Sequence, residues 1–225
     1  MGRDSVTRMQ HLIGRSALPR LLVLGSLVAF TSGCSGPTTI VIHAPRPTER
    51  VEVEGPDQVV VGLRVVDARL SGNQPEVSRV VGYELTALGA PGGAAISNEE
   101  PIPALIERSV KDQLTALGYQ VRDTGPARLT IEIWTFEQRF QGGVVTGNSE
   151  GEIYLSFTAS NASGADCLWD FVNIKVREDA ATTPAGAARA SLEKALGLAM
   201  RYLAEKVTLH DALMRAARSN GRSSC

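Results

Sequence analysis

The sequence predicts an α+β fold: a two-layer sandwich with a mainly antiparallel sheet of four to five strands, in the order β-α-β-β-β-α, and two helices packed on one face. Three observations predict it. Val59, Val61, Leu63 and Val65 alternate onto one side of a strand, and two long segments repeat apolar residues at helical spacing. Between those segments, three alternating runs are joined by short, turn-rich links, the pattern of an antiparallel meander. Each strand then has one apolar face and each helix one apolar stripe, so stacking the helices on one side of the sheet buries both.

The chain opens with Arg3, Arg8, Arg15 and Arg20 ahead of an apolar run from Leu21 to Phe30, which ends in Thr31, Ser32 and Gly33. A basic region, a short apolar region and a small-residue exit describe an export signal; the run is too short to span a bilayer, which takes about 20 residues. Residues 1–33 therefore read as a cleaved signal, and a start at Met9 would make it a more typical one than Met1. Cys34 follows directly. Thr31-Ser32-Gly33-Cys34 is similar to the bacterial lipobox, in which the cysteine thiol is thioether-linked to diacylglycerol before the signal is removed, although Thr31 stands where leucine is usual. Residues 34–57, with Pro37, Pro45, Pro47 and Pro56, read as a lipidated tether that carries a short strand at Thr38 to His43. Residues 58–218 form the α+β domain and 219–225 a polar tail. Ser35 is not the aspartate that retains lipoproteins at the inner membrane, which favours the outer membrane with the domain facing the periplasm.

Within the domain, the first strand holds Gly62 as a bulge or close-approach point. The stretch from Ser71 to Pro101 is dense in glycine and proline and reads as an extended surface loop, with a weak strand at Val80 to Leu85. Ile106, Val110, Leu114 and Leu117 then follow at helical spacing, between Pro101 at the start and Gly118 as the stop. The meander is built from ARLTIEIWTFEQRF, GEIYLSFTAS and LWDFVNIKV, with Leu129, Ile131 and Ile133 on one face of its first strand. A last helix starts at Pro184 and aligns Leu192, Leu196, Ala199, Leu203 and Val207, before a short helical turn in TLHDALMRAA.

The chemistry of the chain is sparse. Removing residues 1–33 takes four arginines and one aspartate and leaves 19 basic against 23 acidic residues, the wrong balance for a nucleic-acid binder. GNSEG, from Gly147 to Gly151, matches the G-x-S-x-G nucleophile elbow, with Asp170 or Asp179 and then His210 following Ser149. An elbow needs a helix directly after the serine, and here a strand begins instead. Of the two histidines left after export, His43 lies in the tether, and His210 beside Asp211 reads as a capping or surface pair. No catalytic residue, metal ligand set or cofactor site is assigned. Cys167 and Cys225 read as a buried thiol and a loose tail thiol. Trp134, Phe136 and Phe140 alternate with the aliphatic face of their strand and, with Tyr154, form a candidate partner-binding patch.

The segments VGLRVVDARLSG, IERSVKDQLTALGYQV with GPARLTIEI, and the terminal helix with TLHDAL resemble the YajG-type family of uncharacterised bacterial lipoproteins, from about Val59 to Ala217. The most specific pieces are Val65 to Arg69, Leu117-Gly118-Tyr119, and the pair His210 and Asp211. The resemblance implies an outer-membrane lipoprotein, held in the membrane by lipid on Cys34, with no catalytic motif. The expected function is a binding or scaffold domain for an envelope protein; the alternative is an accessory lipoprotein of a lipid or polymer transport machine, which would need a lipid-sized groove between sheet and helices.

Overall fold

The computed structural model describes residues 37–48, 59–69, 77–85, 91–142, 147–179 and 183–219. The export segment, Cys34, the rest of the tether, parts of the expected 71–101 loop and the tail beyond 219 lie outside the described residues. In chain order the elements are β1 Thr38–Ile40, β2 Val60–Asp67, β3 Val80–Leu85, β4 Pro91–Asn98, α1 Ile102–Ala116, β5 Gln120–Arg122, β6 Ala127–Gly142, β7 Gly147–Asn161, β8 Asp166–Asp179, α2 Pro184–Glu205 and α3 Val207–Arg218.

Among the described residues, the expected sandwich of four to five mainly antiparallel strands is corrected to one mixed sheet of eight strands, curled into a half-barrel, with three helices. Four pairings are parallel: β1 with β4, β2 with β5, β2 with β6, and β3 with β6. The three antiparallel ones are β3 with β4 and the β6–β7–β8 meander. One edge of the long β6 serves two partners, β2 along Ala127–Ile133 and β3 at Gln138, while β7 runs along its whole other edge.

The short strands expected at Thr38 to His43 and at Val80 to Leu85 are present as β1 and β3, while β4 comes from a stretch whose composition reads as loop and β5 from the residues just after α1. Gly82 sits in β3 because a Cβ there would stand 2.7 Å from the Gln138 carbonyl oxygen, so glycine marks a close approach of two strands and not a turn. β4 opens on Pro91-Gly92-Gly93 and still pairs with β3. β1 lies in the Pro-rich stretch expected to be tether, yet Ile40 and Ile42 behind it are buried in the core. Such short strands gain their hydrogen bonds from partners distant in sequence, which local propensity does not register.

Helix α1 follows Pro101 and ends where Gly118 takes φ 97°, which lets the Tyr119 N–H donate to the Leu114 carbonyl at 3.0 Å. Helix α2 starts from Thr183, whose hydroxyl accepts from the Gly186 N–H at 3.2 Å. The expected single stripe through Val207 does not hold, because Lys206, at φ −80° and ψ 88°, breaks the helix and leaves Val207 64% exposed at the start of α3. The three helices cover one face of the sheet. Ile106, Val110 and Leu114 of α1, Leu192, Leu196, Ala199 and Leu203 of α2, and Leu209 and Leu213 of α3 join Leu129, Ile131, Ile133, Ile153, Leu155 and Phe157 in one core. Gly151 lets α2 reach β7, since a Cβ there would stand 2.8 Å from the Ser191 carbonyl carbon.

Candidate functional site

The other face of the meander looks away from the helices. On β7 it presents Tyr154, Ser156 and Thr158, which stand opposite Asn173, Phe171 and Trp169 of β8. Trp134 of β6 joins them, and Trp134, Trp169 and Phe171 are 48%, 60% and 47% exposed. Tyr154 meets Phe171 edge-on with centroids 5.9 Å apart, and Phe171 meets Trp169 at 5.8 Å. The Trp134 Nε1–H donates to the Ser156 hydroxyl at 2.9 Å, and that hydroxyl donates to Glu132 Oε2 at 3.0 Å. This chain fixes the indole against β7, so an exposed ring is held in place before any partner arrives.

The same face continues into a charged end. Arg177 Nε donates to Glu150 at 2.7 Å, Lys175 Nζ lies 3.1 Å from Glu152, and Arg139 pairs with Glu137. The Arg177 hydrogen bond, working against burial, holds the Glu150 carboxyl below its usual range. Aromatic and ion-paired halves thus share one surface, and the exposed apolar area is concentrated in the aromatic half.

Of the residues expected in the patch, Trp134 and Tyr154 lie on this face and Phe136 and Phe140 do not. Phe136 is buried in the core and Phe140 packs against it. The cause is a β-bulge: Ile133 pairs with Leu155 but Thr135 with Tyr154, so one extra residue, Trp134, shifts the alternation and turns Phe136 inward. Trp169 and Phe171 complete the patch and were legible in LWDFVNIKV, where they alternate against Val172 and Val176.

The remaining motifs resolve into structure. Ser149 of GNSEG lies inside β7, buried, with its hydroxyl 3.2 Å from that of Ser191. His210 is not a surface residue but is buried. Its Nε2–H donates to the Ala204 carbonyl at 2.9 Å, and its Nδ1 accepts from the Tyr119 hydroxyl at 3.0 Å with the two rings stacked. Burial pushes its imidazole below the ordinary histidine range, and burial with the Asp211 charge pushes the Tyr119 phenol up. Both nitrogens being engaged, His210 does not serve Ser149 as a base. Asp67 and Arg69 form a half-buried fork: Arg69 Nε and Nη2 donate to the two Asp67 oxygens at 2.8 and 2.7 Å, and its remaining N–H groups reach the carbonyls of Ser78, Val80 and Phe136. Cys167 is disulfide-bonded, which corrects the expectation of a buried thiol. Cys34 and Cys225 lie outside the described residues.

A family model described as "Uncharacterized lipoprotein" matches residues 48–214. No curated protein matches the chain. Among solved structures, a protein of Xanthomonas campestris is 15% identical with a TM-score of 0.51, over 80% of this chain and 97% of that one. A minor lipoprotein of Acinetobacter baumannii is 12% identical with a TM-score of 0.37, over 70% of this chain and 92% of that one. The likeness to the Xanthomonas chain is one of fold.

Proposed function

The chain belongs to this family of uncharacterised lipoproteins, the YajG family, and from that premise we propose that it is an outer-membrane lipoprotein, anchored by lipid on Cys34, whose domain faces the periplasm and binds an envelope protein without catalysing a reaction. The partner surface is the aromatic half of the outer sheet face, Trp134 and Tyr154 with Trp169 and Phe171. The observation that carries this is the exposure of three large rings on a face that the protein's own helices leave uncovered, one of them pre-set by the Trp134–Ser156–Glu132 chain. Two further observations support export and anchoring. The Cys167 disulfide suits an oxidising compartment. The fold begins at Thr38, and the four residues from Cys34 span at most about 14 Å, so a lipid there would hold the domain close to the bilayer.

The transport alternative would need a lipid-sized apolar groove between sheet and helices. Among the described residues, the apolar cleft between the helices and β6, lined by Val110, Gln113, Leu114, Leu117, Leu129, Leu203 and Leu209, is closely packed, and the roomier space between β8 and α3, about 460 Å³, is open and carries the charged Asp211, Arg215 and Arg218 beside Leu168 and Met214.

Labelling of cells with a palmitate analogue tests the anchor: the unmodified chain takes up label and Cys34→Ala does not, and equal labelling of the two would refute anchoring at Cys34. A photo-crosslinking amino acid at Trp134 is expected to give a discrete protein adduct that the same probe at the exposed α2 residue Leu198 does not. The same adducts from both positions would remove the patch from the proposal.

A further inference from the structure

β8 ends the sheet: it pairs with β7, and among the described residues no strand lies on its other edge. The opposite end of the sheet is closed by three-residue strands, whereas this edge runs the length of Asp166–Asp179. Long free edges are templates for a further strand. The backbone of the odd-numbered residues faces outward here, as the Phe171 N–H shows by donating at 2.8 Å to the carboxylate of the preceding Asp170 and not to β7.

The strand's sequence says which strand fits. On its outer face Trp169 and Phe171 stand before Asn173, and Lys175 and Arg177 stand after it, at mirrored spacing. We propose that two copies of this chain pair antiparallel through β8 about a twofold axis at Asn173, joining their sheets into one. In that register Asn173 meets its own counterpart, Phe171 meets the second copy's Lys175, and Trp169 meets the second copy's Arg177. Each cation lies against the electron-rich face of a ring, and each such contact occurs twice. Lys175 and Arg177 are free to do this while paired to Glu152 and Glu150, because their side chains remain 51% and 65% exposed. On the inner side Val172 meets Ile174, while Asp170 keeps Lys206 at 2.6 Å. A twofold axis one residue earlier would set Phe171 against Asn173 and Arg177 against Cys167, and the complementarity would vanish. Pairing would also bring the two aromatic patches together across the axis, so the surface offered to a partner would be a double one. The proposal does not depend on that partner.

The test uses the full-length chain in its membrane. Asn173→Cys places the new thiols opposite each other at about 5.5 Å between Cα atoms, within disulfide range. Under mild oxidation it is expected to give a species of twice the chain mass that reductant collapses, while Arg139→Cys, exposed on the same face but three strands' width from the edge of the second copy, stays single. Dimer at neither position, at both equally, or at Arg139→Cys alone overturns the proposal. Light scattering on the detergent-extracted unmodified chain should give the mass of two copies, and a mass of one copy also overturns it. Trp169→Ala, an exposed position, should raise the dissociation constant roughly tenfold. Palmitate labelling and the Trp134 adduct report the anchor and partner separately, so either reading can fail without the other.

Discussion

The two halves of the sheet are held together by different means. In the β6–β7–β8 meander, pairing runs without a break apart from single bulges, from Ala127 opposite Asn161 to Gly142 opposite Gly147, and from Asn148 opposite Asp179 to Ser160 opposite Asp166. In the other half, β1 and β5 contribute three residues each, and β3 touches β6 at Gln138. There the missing ladder is replaced by side chains that bond to backbone. Arg69 ties three carbonyls from two segments to the end of β2. Asn98 accepts the Ile42 N–H at 2.9 Å and donates to the Glu100 carbonyl at 3.0 Å, securing the chain after β1. Gln113 of α1 accepts the Thr48 N–H at 2.9 Å. A continuous ladder spreads the loss of any one bond, while a patched half concentrates its stability in a few side chains.

That contrast can be broken at either end. The largest loss is expected from Phe157→Ala in the meander, where a fully buried ring is removed from the core: about 3–5 kcal/mol by urea denaturation, as a single cooperative transition. Arg69→Ala should cost about 3 kcal/mol by leaving Asp67 and three carbonyls without their donor, and Arg69→Lys should recover little of it because the fork is lost. Hydrogen exchange should place that damage in β2, β3 and β4 and leave β7 protected; uniform loss of protection would show that the halves are not separable. Asn98→Ala is expected to cost about 1–3 kcal/mol by orphaning the buried Ile42 N–H, with fraying confined to β1.

The smallest effect is one of pH. His210 has its folded pKa pushed below its unfolded value by burial, so the unfolded state binds the extra proton more readily. The stability it contributes is complete above the ordinary histidine value of about 6.5 and is lost as the pH falls below it. The carboxyls of Glu150 and Asp170, also held low, act only below the carboxylate range of about 4. Chemical denaturation between pH 7 and 5 should therefore show a slope that His210→Phe flattens; an unchanged slope would mean that another group is responsible.

The meander and helix α1 could be read from the sequence because their signals are local. Leu129, Ile131 and Ile133 alternate within a few residues, and Gly118 stops α1 where its composition suggests. The parallel half was legible only in pieces: the runs at Thr38 and at Val80–Leu85 read as short strands, but Pro91 belongs to a strand by virtue of what lies beside it, and nothing local pairs β1 with β4 or β2 and β3 with β6. The patch was legible in part for a related reason. Strict alternation places Trp134 and Tyr154 correctly, but it has no term for an added residue, and so Phe136 and Phe140 were assigned to the wrong side. The family-specific pieces were visible as letters and not as interactions: Tyr119 and His210 meet each other, and Arg69, held by Asp67, meets two other segments.

The bulge at Trp134 also constrains how related chains can vary. Because a single surplus residue sets which side every later position of β6 faces, straightening the strand with Trp134 still in it would turn Glu137 and Arg139 toward the core and Phe136 and Phe140 toward water, whereas deleting that one residue would leave every face as it is. Away from the bulge, insertions and deletions in this strand would therefore be tolerated in steps of two, while at the bulge a single residue can go, and the side each later position faces, more than its residues, is what a lineage would have to inherit intact.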